Sequence, residues 1–185
     1  MTKKVAVIVG SLRKESFNRK MAKELIRLAP SSLKMEIVEI GQLSHYNQDE
    51  DSNPPADWTN FRQVIQGFEG VLFVTPEYNR SVPGVLKNAI DVGSRPYGKS
   101  VWSGKPVGVM SVSPGAVGGF GSNQHLRQSL VFLDMPAMQQ PEAYIGGAGN
   151  LFDANGKLAN DTITEFATKF IQAFAKWVEL ITKSA

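Results

Sequence analysis

Short aliphatic runs recur along the chain and alternate with longer amphipathic stretches. The runs lie at residues 5 to 9, 35 to 40, 70 to 74 and 107 to 112, with a weaker one near 137 to 145. Runs of this length, bounded by turn residues, are typical of strands buried on both faces of a sheet. The second run alternates with acidic residues, so we expect it to be an edge strand. The pattern therefore predicts five strands.

Between these runs, apolar residues recur at three- and four-residue steps, the spacing of one helix face. The predicted faces consist of Met21, Leu25 and Leu28; Trp58, Phe61, Ile65 and Phe68; Leu86, Ala89 and Ile90; Leu126, Leu130 and Leu133; and Ile163, Phe166, Phe170, Phe174, Trp177 and Ile181. Thr162 and Glu165 predict a capping box at the start of the last helix. The alternation predicts an α/β fold, a doubly wound five-stranded parallel sheet with helices on both faces.

Length and composition predict a single domain over residues 1 to 185. A chain of this length removes roughly 70% of its unfolded surface from water, so one core is sufficient. The absence of cysteine excludes disulfides, thiolate metal sites and cysteine nucleophiles. No apolar run approaches the roughly 20 residues of a membrane helix, and the N-terminus has no cleavable apolar stretch. We therefore expect a cytoplasmic protein without a membrane span.

The charge pattern favours a small anionic ligand over nucleic acid. The net charge is +3 and the isoelectric point is about 9.1, but the basic residues are scattered among acidic ones. The consecutive acids Asp49, Glu50 and Asp51 fit no calcium loop, so we expect no metal. His45 and His125 are expected in a loop and on a helix surface.

Two loops compete as the main anion site, and the first is GSRPYGKS at residues 93 to 100, which matches the P-loop pattern of nucleotide-binding proteins. A P-loop follows a strand and opens a helix, because the helix amides then point at phosphate. This segment instead follows a helical pattern and precedes a strand. We therefore expect Gly93 to end a helix and Lys99 to be solvated.

The second loop, GSLRKESFNRK at residues 10 to 20, has the required order of strand, loop and helix. Ser11, Ser16 and Asn18 can donate hydrogen bonds to phosphate oxygens, and Arg13 can add a forked, charge-assisted contact. An equally weighted alternative is that Ser16 or Asn18 only caps the helix. The loop lacks GxGxxG, so it carries no dinucleotide fingerprint.

Two further loops follow predicted strands and should converge with the first, because parallel strands end at the same edge of the sheet. The loop at residues 75 to 84 contains Pro76 and Tyr78, which can hold and line a flat heteroaromatic ring. An ordinary surface turn with Glu77 and Asn79 solvated is the alternative, and most Pro-rich loops taken singly are of that kind. The loop at residues 111 to 123 is rich in glycine, which permits a ligand to approach the backbone.

With these loops in place, the chain resembles the flavodoxin-like NADPH-dependent FMN reductase family. The resemblance is strongest to the bacterial soluble quinone reductases, also described as chromate reductases. It rests on GSLRKESFNRK, TPEYNRSVPGVLKNAID, SGKPVGVMSVSPGAVGG and HLRQSLVFLDM, at residues 10 to 20, 75 to 91, 103 to 119 and 125 to 135.

This resemblance implies an FMN site in which residues 11 to 18 hold the phosphate and residues 77 to 80 flank the isoalloxazine. The implied cofactor-binding residues are Ser11, Arg13, Ser16, Phe17, Asn18, Pro76, Glu77, Tyr78, Asn79, Arg80 and Ser113. Many relatives carry an aromatic residue at the position of Arg80, which leaves its side-chain role open. Family members are usually homodimers or homotetramers with the flavin near a subunit boundary.

The implied activity is two-electron, ping-pong hydride transfer from NADPH or NADH through flavin N5 to quinones, without a catalytic side chain. Chromate, azo compounds and free flavin stay open as further acceptors. The leading alternative is a flavodoxin-like FMN electron carrier without substrate turnover. The basic charge and Arg13 favour the enzyme, because such carriers are typically acidic. A P-loop nucleotidase and an interaction domain that binds no flavin are weaker alternatives.

Overall fold

The computed structural model describes residues 2–183, which form one five-stranded parallel sheet in the order β2-β1-β3-β4-β5. The strands are β1 Lys3–Val9, β2 Leu33–Val38, β3 Gly70–Thr75, β4 Val107–Val112 and β5 Ala143–Ile145. The predicted fold class is confirmed, and β2 is an edge strand as expected. The weak fifth run forms a strand only in its last three residues.

Five α-helices cover the sheet within the described residues. They are α1 Phe17–Leu28, α2 Ala56–Gln66, α3 Gly84–Gly93, α4 Phe120–Phe132 and α5 Asp161–Lys183. Apolar residues of α1 and α5 form one core with one face of the sheet, and those of α2, α3 and α4 form a second core with the other face. The strands alternate between the two cores: Val7 faces the first and Ile8 the second.

The strand order places a topological switch point between β1 and β3, because the chain crosses to opposite edges of the sheet from there. α1 follows β1 on one face and α3 follows β3 on the other. The loops after β1, β3 and β4 therefore meet beyond the carboxyl ends of their strands, where doubly wound sheets bind ligands.

The start of α5 differs from the predicted capping box. Asn160 Oδ1 accepts a hydrogen bond from the Ile163 amide at 3.0 Å, so Asn160 caps the helix and Thr162 lies in its first turn. The capping box of Thr162 and Glu165 is wrong, because the Asn160 side chain reaches the free amides two residues earlier.

The P-loop segment has the surroundings expected from its sequence context. Gly93 is the last residue of α3, and Lys99 is exposed in the loop that follows. A Cβ on Gly93 would lie 2.5 Å from the Trp102 ring, which explains the glycine by packing. Within residues 2–183, no helix is long and apolar enough to cross a membrane.

Candidate active site

The loop after β1 turns sharply against β3 before it enters α1. A Cβ on Gly10 would lie 2.6 Å from Thr75 Oγ1, so only glycine permits this close approach. Ser16 ends the loop and caps α1, since its hydroxyl accepts a hydrogen bond from the Arg19 amide at 3.2 Å. Ser16 therefore caps α1, and its own hydroxyl proton is still free to be donated, so the cap does not decide between the two roles.

Asn18 has a different part in this corner. It is only 3% exposed, and its Nδ2 donates to the carbonyl oxygen of Val112 at 3.0 Å, which joins α1 to the end of β4. Its Oδ1 is buried and has no hydrogen-bond partner within residues 2–183. An unpaired buried acceptor costs about 1–3 kcal/mol, so a donor from a ligand would relieve this cost.

A cavity of about 200 Å³ lies where the loops after β1, β3 and β4 meet. The predicted site residues that line it are Ser11, Arg13, Ser16, Phe17, Asn18, Pro76, Glu77, Tyr78 and Ser113. Val112 and Pro114 complete the lining and were missed, because neither carries a polar group that sequence reasoning could single out. Asn79 and Arg80 lie beyond the lining, at the tip of the neighbouring turn.

The α1 end of the cavity is rich in hydrogen-bond donors and positive charge. The hydroxyls of Ser11 and Ser16 are buried, and the Arg13 guanidinium lies 5.9 Å from the centroid of the Phe17 ring. An adjoining cavity of about 280 Å³ shares Ser16 and is lined by Lys14, Arg19, Lys20 and Lys23. Of these, Lys20 pairs with Glu15, which also lines the cavity, and Arg19 pairs with Glu39, so Lys14 and Lys23 contribute most of its positive charge. Charge and donors together suit a small dianion.

The loop after β3 makes a tight two-residue turn beside the cavity. Tyr78 and Ser81 exchange backbone hydrogen bonds of 3.1 and 2.9 Å, and both residues between them are left-handed, with φ of +49° at Asn79 and +63° at Arg80. Turns of this kind favour Asn followed by Gly. Arg80 occupies the glycine position, where a side chain costs roughly 1–2 kcal/mol.

Glu77 connects this turn to the start of α4. Its Oε2 accepts a hydrogen bond from the Ser122 amide at 3.1 Å, and its Oε1 lies 3.3 Å from the Arg80 guanidinium. A Cβ on Gly121 would lie 2.8 Å from Glu77 Oε2, so glycine is needed for this approach. Sequence reasoning missed this contact, although the glycines ahead of α4 and the lack of a capping side chain were a usable signal.

The loop after β4 is held by backbone contacts. Ser113 donates its amide to the Ile145 carbonyl at 2.9 Å, and its hydroxyl accepts from the Gly115 amide at 3.2 Å. Gly118 is left-handed, with φ of +64°, and packs against the Tyr144 backbone so closely that a Cβ would lie 2.5 Å away. The loop therefore presents backbone to the cavity mouth with little side-chain bulk.

Both histidines lie where they were expected. His45 is exposed in a loop, and His125 is exposed on α4 with its Nδ1 3.0 Å from Ser81 Oγ. Within the described residues, no three His, Asp or Glu side chains are grouped closely enough to hold a metal ion.

The order of the strands and the cavity at the switch point define a flavodoxin-like α/β protein. The family model for NADPH-dependent FMN reductases matches residues 3–150. The chain belongs to the NADPH-dependent FMN reductase family.

Similar proteins agree with this assignment along nearly the whole chain. A quinone reductase of Pseudomonas putida is 66% identical over 177 residues, which is 95% of each chain. The solved structure of FerB, a flavoenzyme NAD(P)H:(acceptor) oxidoreductase from Paracoccus denitrificans, is 40% identical with a TM-score of 0.90 and covers 96% of this chain and 98% of that one. A flavodoxin from Pseudomonas aeruginosa, 17% identical with a TM-score of 0.60, covers 95% of this chain and 99% of that one and shares the fold.

Proposed function

We propose that the protein is an FMN-dependent NAD(P)H:quinone oxidoreductase. The observation that carries this proposal is the cavity at the ends of β1, β3 and β4, whose donors and charge suit a phosphate and whose open side suits a flat ring. The quinone reductase of Pseudomonas putida supports quinones as acceptors, because two thirds of its aligned residues are identical to those of this chain.

The residues present fit the two polar parts of FMN. A phosphate dianion only accepts hydrogen bonds, and the hydroxyls of Ser11 and Ser16 with the guanidinium of Arg13 are donors. The ribityl chain carries hydroxyls that donate, and the unpaired acceptor Asn18 Oδ1 belongs to a residue that lines the same cavity. The donor set and the unpaired acceptor therefore match a phosphate ester of a sugar alcohol.

FMN, when bound, supplies the two-electron hydride chemistry, and the chain supplies binding and orientation. We assign Arg13 and the two serines to the phosphate, and Pro76 and Tyr78 to one edge of the ring system. Ser113 holds the loop after β4 and would contact the flavin from there. No side chain is assigned as a catalytic acid or base. We expect the donor and the quinone to occupy the same open face in turn.

A flavodoxin-like electron carrier is the weaker of the two functions that this fold allows. The flavodoxin of Pseudomonas aeruginosa shares only the architecture, whereas the quinone reductases share residues throughout the chain. Steady-state assays of the purified protein with NADPH or NADH and 1,4-benzoquinone separate the two. We expect hundreds of turnovers and parallel double-reciprocal lines, the signature of a ping-pong cycle. A bound flavin without turnover would favour the carrier.

Three finer points are proposals of the same kind. Chromate, azo compounds and free flavin are proposed as additional acceptors, because an open site discriminates little by shape. A cytoplasmic location is proposed from the composition. A homodimer or homotetramer is proposed because Tyr97, Val131 and Phe132 are 82%, 80% and 79% exposed. Contact with a second copy would remove this apolar surface from water. Light scattering coupled to gel filtration tests the last point.

A further inference from the structure

Arg80 is a cation at the mouth of the proposed flavin site. Its guanidinium lies 3.3 Å from Oε1 of Glu77, and Glu77 lines the cavity. Its side chain is 80% exposed, so most of the charge faces solvent above the rim. Within residues 2–183, the Arg80 guanidinium forms its hydrogen bond and ion pair with Glu77.

The left-handed backbone conformation of Arg80 costs free energy that a glycine at this position would avoid. The two-residue turn between Tyr78 and Ser81 needs left-handed residues at both central positions, and glycine is the residue that adopts this conformation without strain. An exposed arginine at this position contributes no core packing. Residues held in strained conformations concentrate at functional sites, so the observed strain directs attention to what the side chain does.

The Glu77 carboxylate that pairs with Arg80 also has a second positive partner. The other carboxylate oxygen of Glu77 accepts the Ser122 amide of α4, at the positive end of that helix. Glu77 is thus shared between Arg80 and a helix terminus. The carboxylate therefore offsets the charge of Arg80 only in part, and the exposed guanidinium remains accessible to a substrate.

We propose that Arg80 makes the acceptor site selective for negatively charged quinones. This inference rests on the proposed function and names the substrate class of that site. The substituents of a quinone are attached directly to its reacting ring, so an anionic substituent stays close to the cavity that Glu77 lines and Arg80 borders. The phosphates of NADPH are farther from its reacting nicotinamide ring, which makes the donor the less suitable partner for Arg80.

The test compares two quinones of the same ring system, neutral 1,4-naphthoquinone and 1,4-naphthoquinone-2-sulfonate, which is anionic at every usable pH. The measured quantity is the ratio of their kcat/KM values, sulfonate over neutral, in wild type, Arg80→Gln, Arg80→Lys and Arg80→Gly. Comparing ratios between variants cancels the different reduction potentials of the two quinones. Lys99→Gln is the matched control, because it removes one exposed cation from a loop outside the site.

We expect Arg80→Gln to lower this ratio by roughly tenfold, since close charge complementarity typically changes association by one or more orders of magnitude. Arg80→Lys should retain the ratio within about threefold, because lysine keeps the positive charge and loses only the two-pronged hydrogen bonding of the guanidinium. Arg80→Gly should behave as Arg80→Gln, although it relieves the strain. Added salt should lower the sulfonate kcat/KM of wild type more steeply than that of Arg80→Gln.

The other possible results would overturn either the role of Arg80 or the proposed function. An unchanged ratio in Arg80→Gln, or an equal fall in Lys99→Gln, would overturn the inference. In a ping-pong cycle, kcat/KM for the donor reports the reductive half-reaction alone, so NADPH and NADH are measured beside the quinones. A loss confined to NADPH would assign Arg80 to the donor and overturn the acceptor role. Failure of wild type to reduce the neutral quinone would overturn the proposed function itself.

Discussion

The carboxylate of Glu77 and the amide of Ser122 are joined by a hydrogen bond of 3.1 Å that links the loop after β3 to the first turn of α4. The bond compensates for the missing side-chain cap at Gly119. It also fixes the position of the cavity wall, because Glu77 lines the cavity. One acidic side chain thus stabilises a helix terminus and shapes the site.

The Glu77 bond can be tested by removing the acceptor and the charge separately. Glu77→Ala should lower the free energy of unfolding by about 1 kcal/mol, as expected for the loss of a helix cap, and should weaken FMN retention. Glu77→Gln keeps a carbonyl acceptor for the Ser122 amide, so it should lower the free energy of unfolding by less than Glu77→Ala. Denaturant unfolding and FMN titration measure the two effects. Equal destabilisation by both variants would show that charge, not capping, is what Glu77 contributes.

Arg13 should determine FMN affinity through the phosphate. Arg13→Glu is expected to weaken FMN binding by at least roughly 10- to 100-fold, because a charge-assisted hydrogen bond is replaced by repulsion. Riboflavin lacks the phosphate, so its affinity should change little. Fluorescence titration of the apoprotein measures both ligands. Unchanged FMN affinity, or an equal loss for riboflavin, would contradict the assignment of this corner to the phosphate.

Lys99→Ala should leave FMN content and quinone reduction unchanged. Lys99 is exposed in a loop that follows the end of α3, so no helix amides accompany it toward a phosphate. Absorbance spectra and steady-state rates of the variant and wild type provide the comparison. A colourless protein whose nucleotidase activity depends on Lys99 would support the P-loop nucleotidase hypothesis instead.

Acid stability should depend on Glu24, a 4% exposed residue of α1 that accepts two hydrogen bonds of 2.9 Å from Arg27. The Arg27 guanidinium holds the pKa of Glu24 below its ordinary value, against the opposing effect of burial, and the Leu158 amide adds to the lowering. A lowered folded pKa stabilises the protein above the unfolded pKa, and this contribution disappears as pH falls through the folded value.

Glu24→Gln should therefore lower the free energy of unfolding by about 1–3 kcal/mol at neutral pH. The difference from wild type should narrow as the pH falls below the ordinary value of 4.5. Glu179→Gln is the control, because Glu179 pairs with Lys183 on the exposed surface of α5. Urea unfolding across this pH range measures both. A difference that stays constant with pH would exclude ionisation of Glu24 as the cause.

Periodicity predicted the helices and the four long strands because burial imposes it on the sequence. The prediction was weakest where tertiary contacts, not periodicity, determine the structure. β5 is only three residues long, and the cap of α5 depends on which side chain, Asn160 or Thr162, reaches the amides first.

Most of the candidate site could be predicted because its residues follow strand ends, where topology brings them together. Ser11, Pro76 and Ser113 are examples, and all three line one cavity. The contact of Glu77 with Ser122 joins residues far apart in sequence by a backbone donor. The left-handed conformation of Arg80 contradicts the preference of its residue type. The missing side-chain cap of α4 indicates that a partner is needed but does not identify Glu77, and the conformation of Arg80 leaves no local pattern in the sequence.

The central claim is that this chain carries FMN and passes two electrons from a nicotinamide to a quinone. The most direct measurement is an anaerobic titration of the freshly purified protein, followed by its absorbance spectrum. One equivalent of NADPH or NADH per bound FMN should bleach the flavin bands completely, and one equivalent of 1,4-benzoquinone should restore them. A protein that remains colourless with excess FMN, or a bound flavin that the quinone does not reoxidise, would contradict the account.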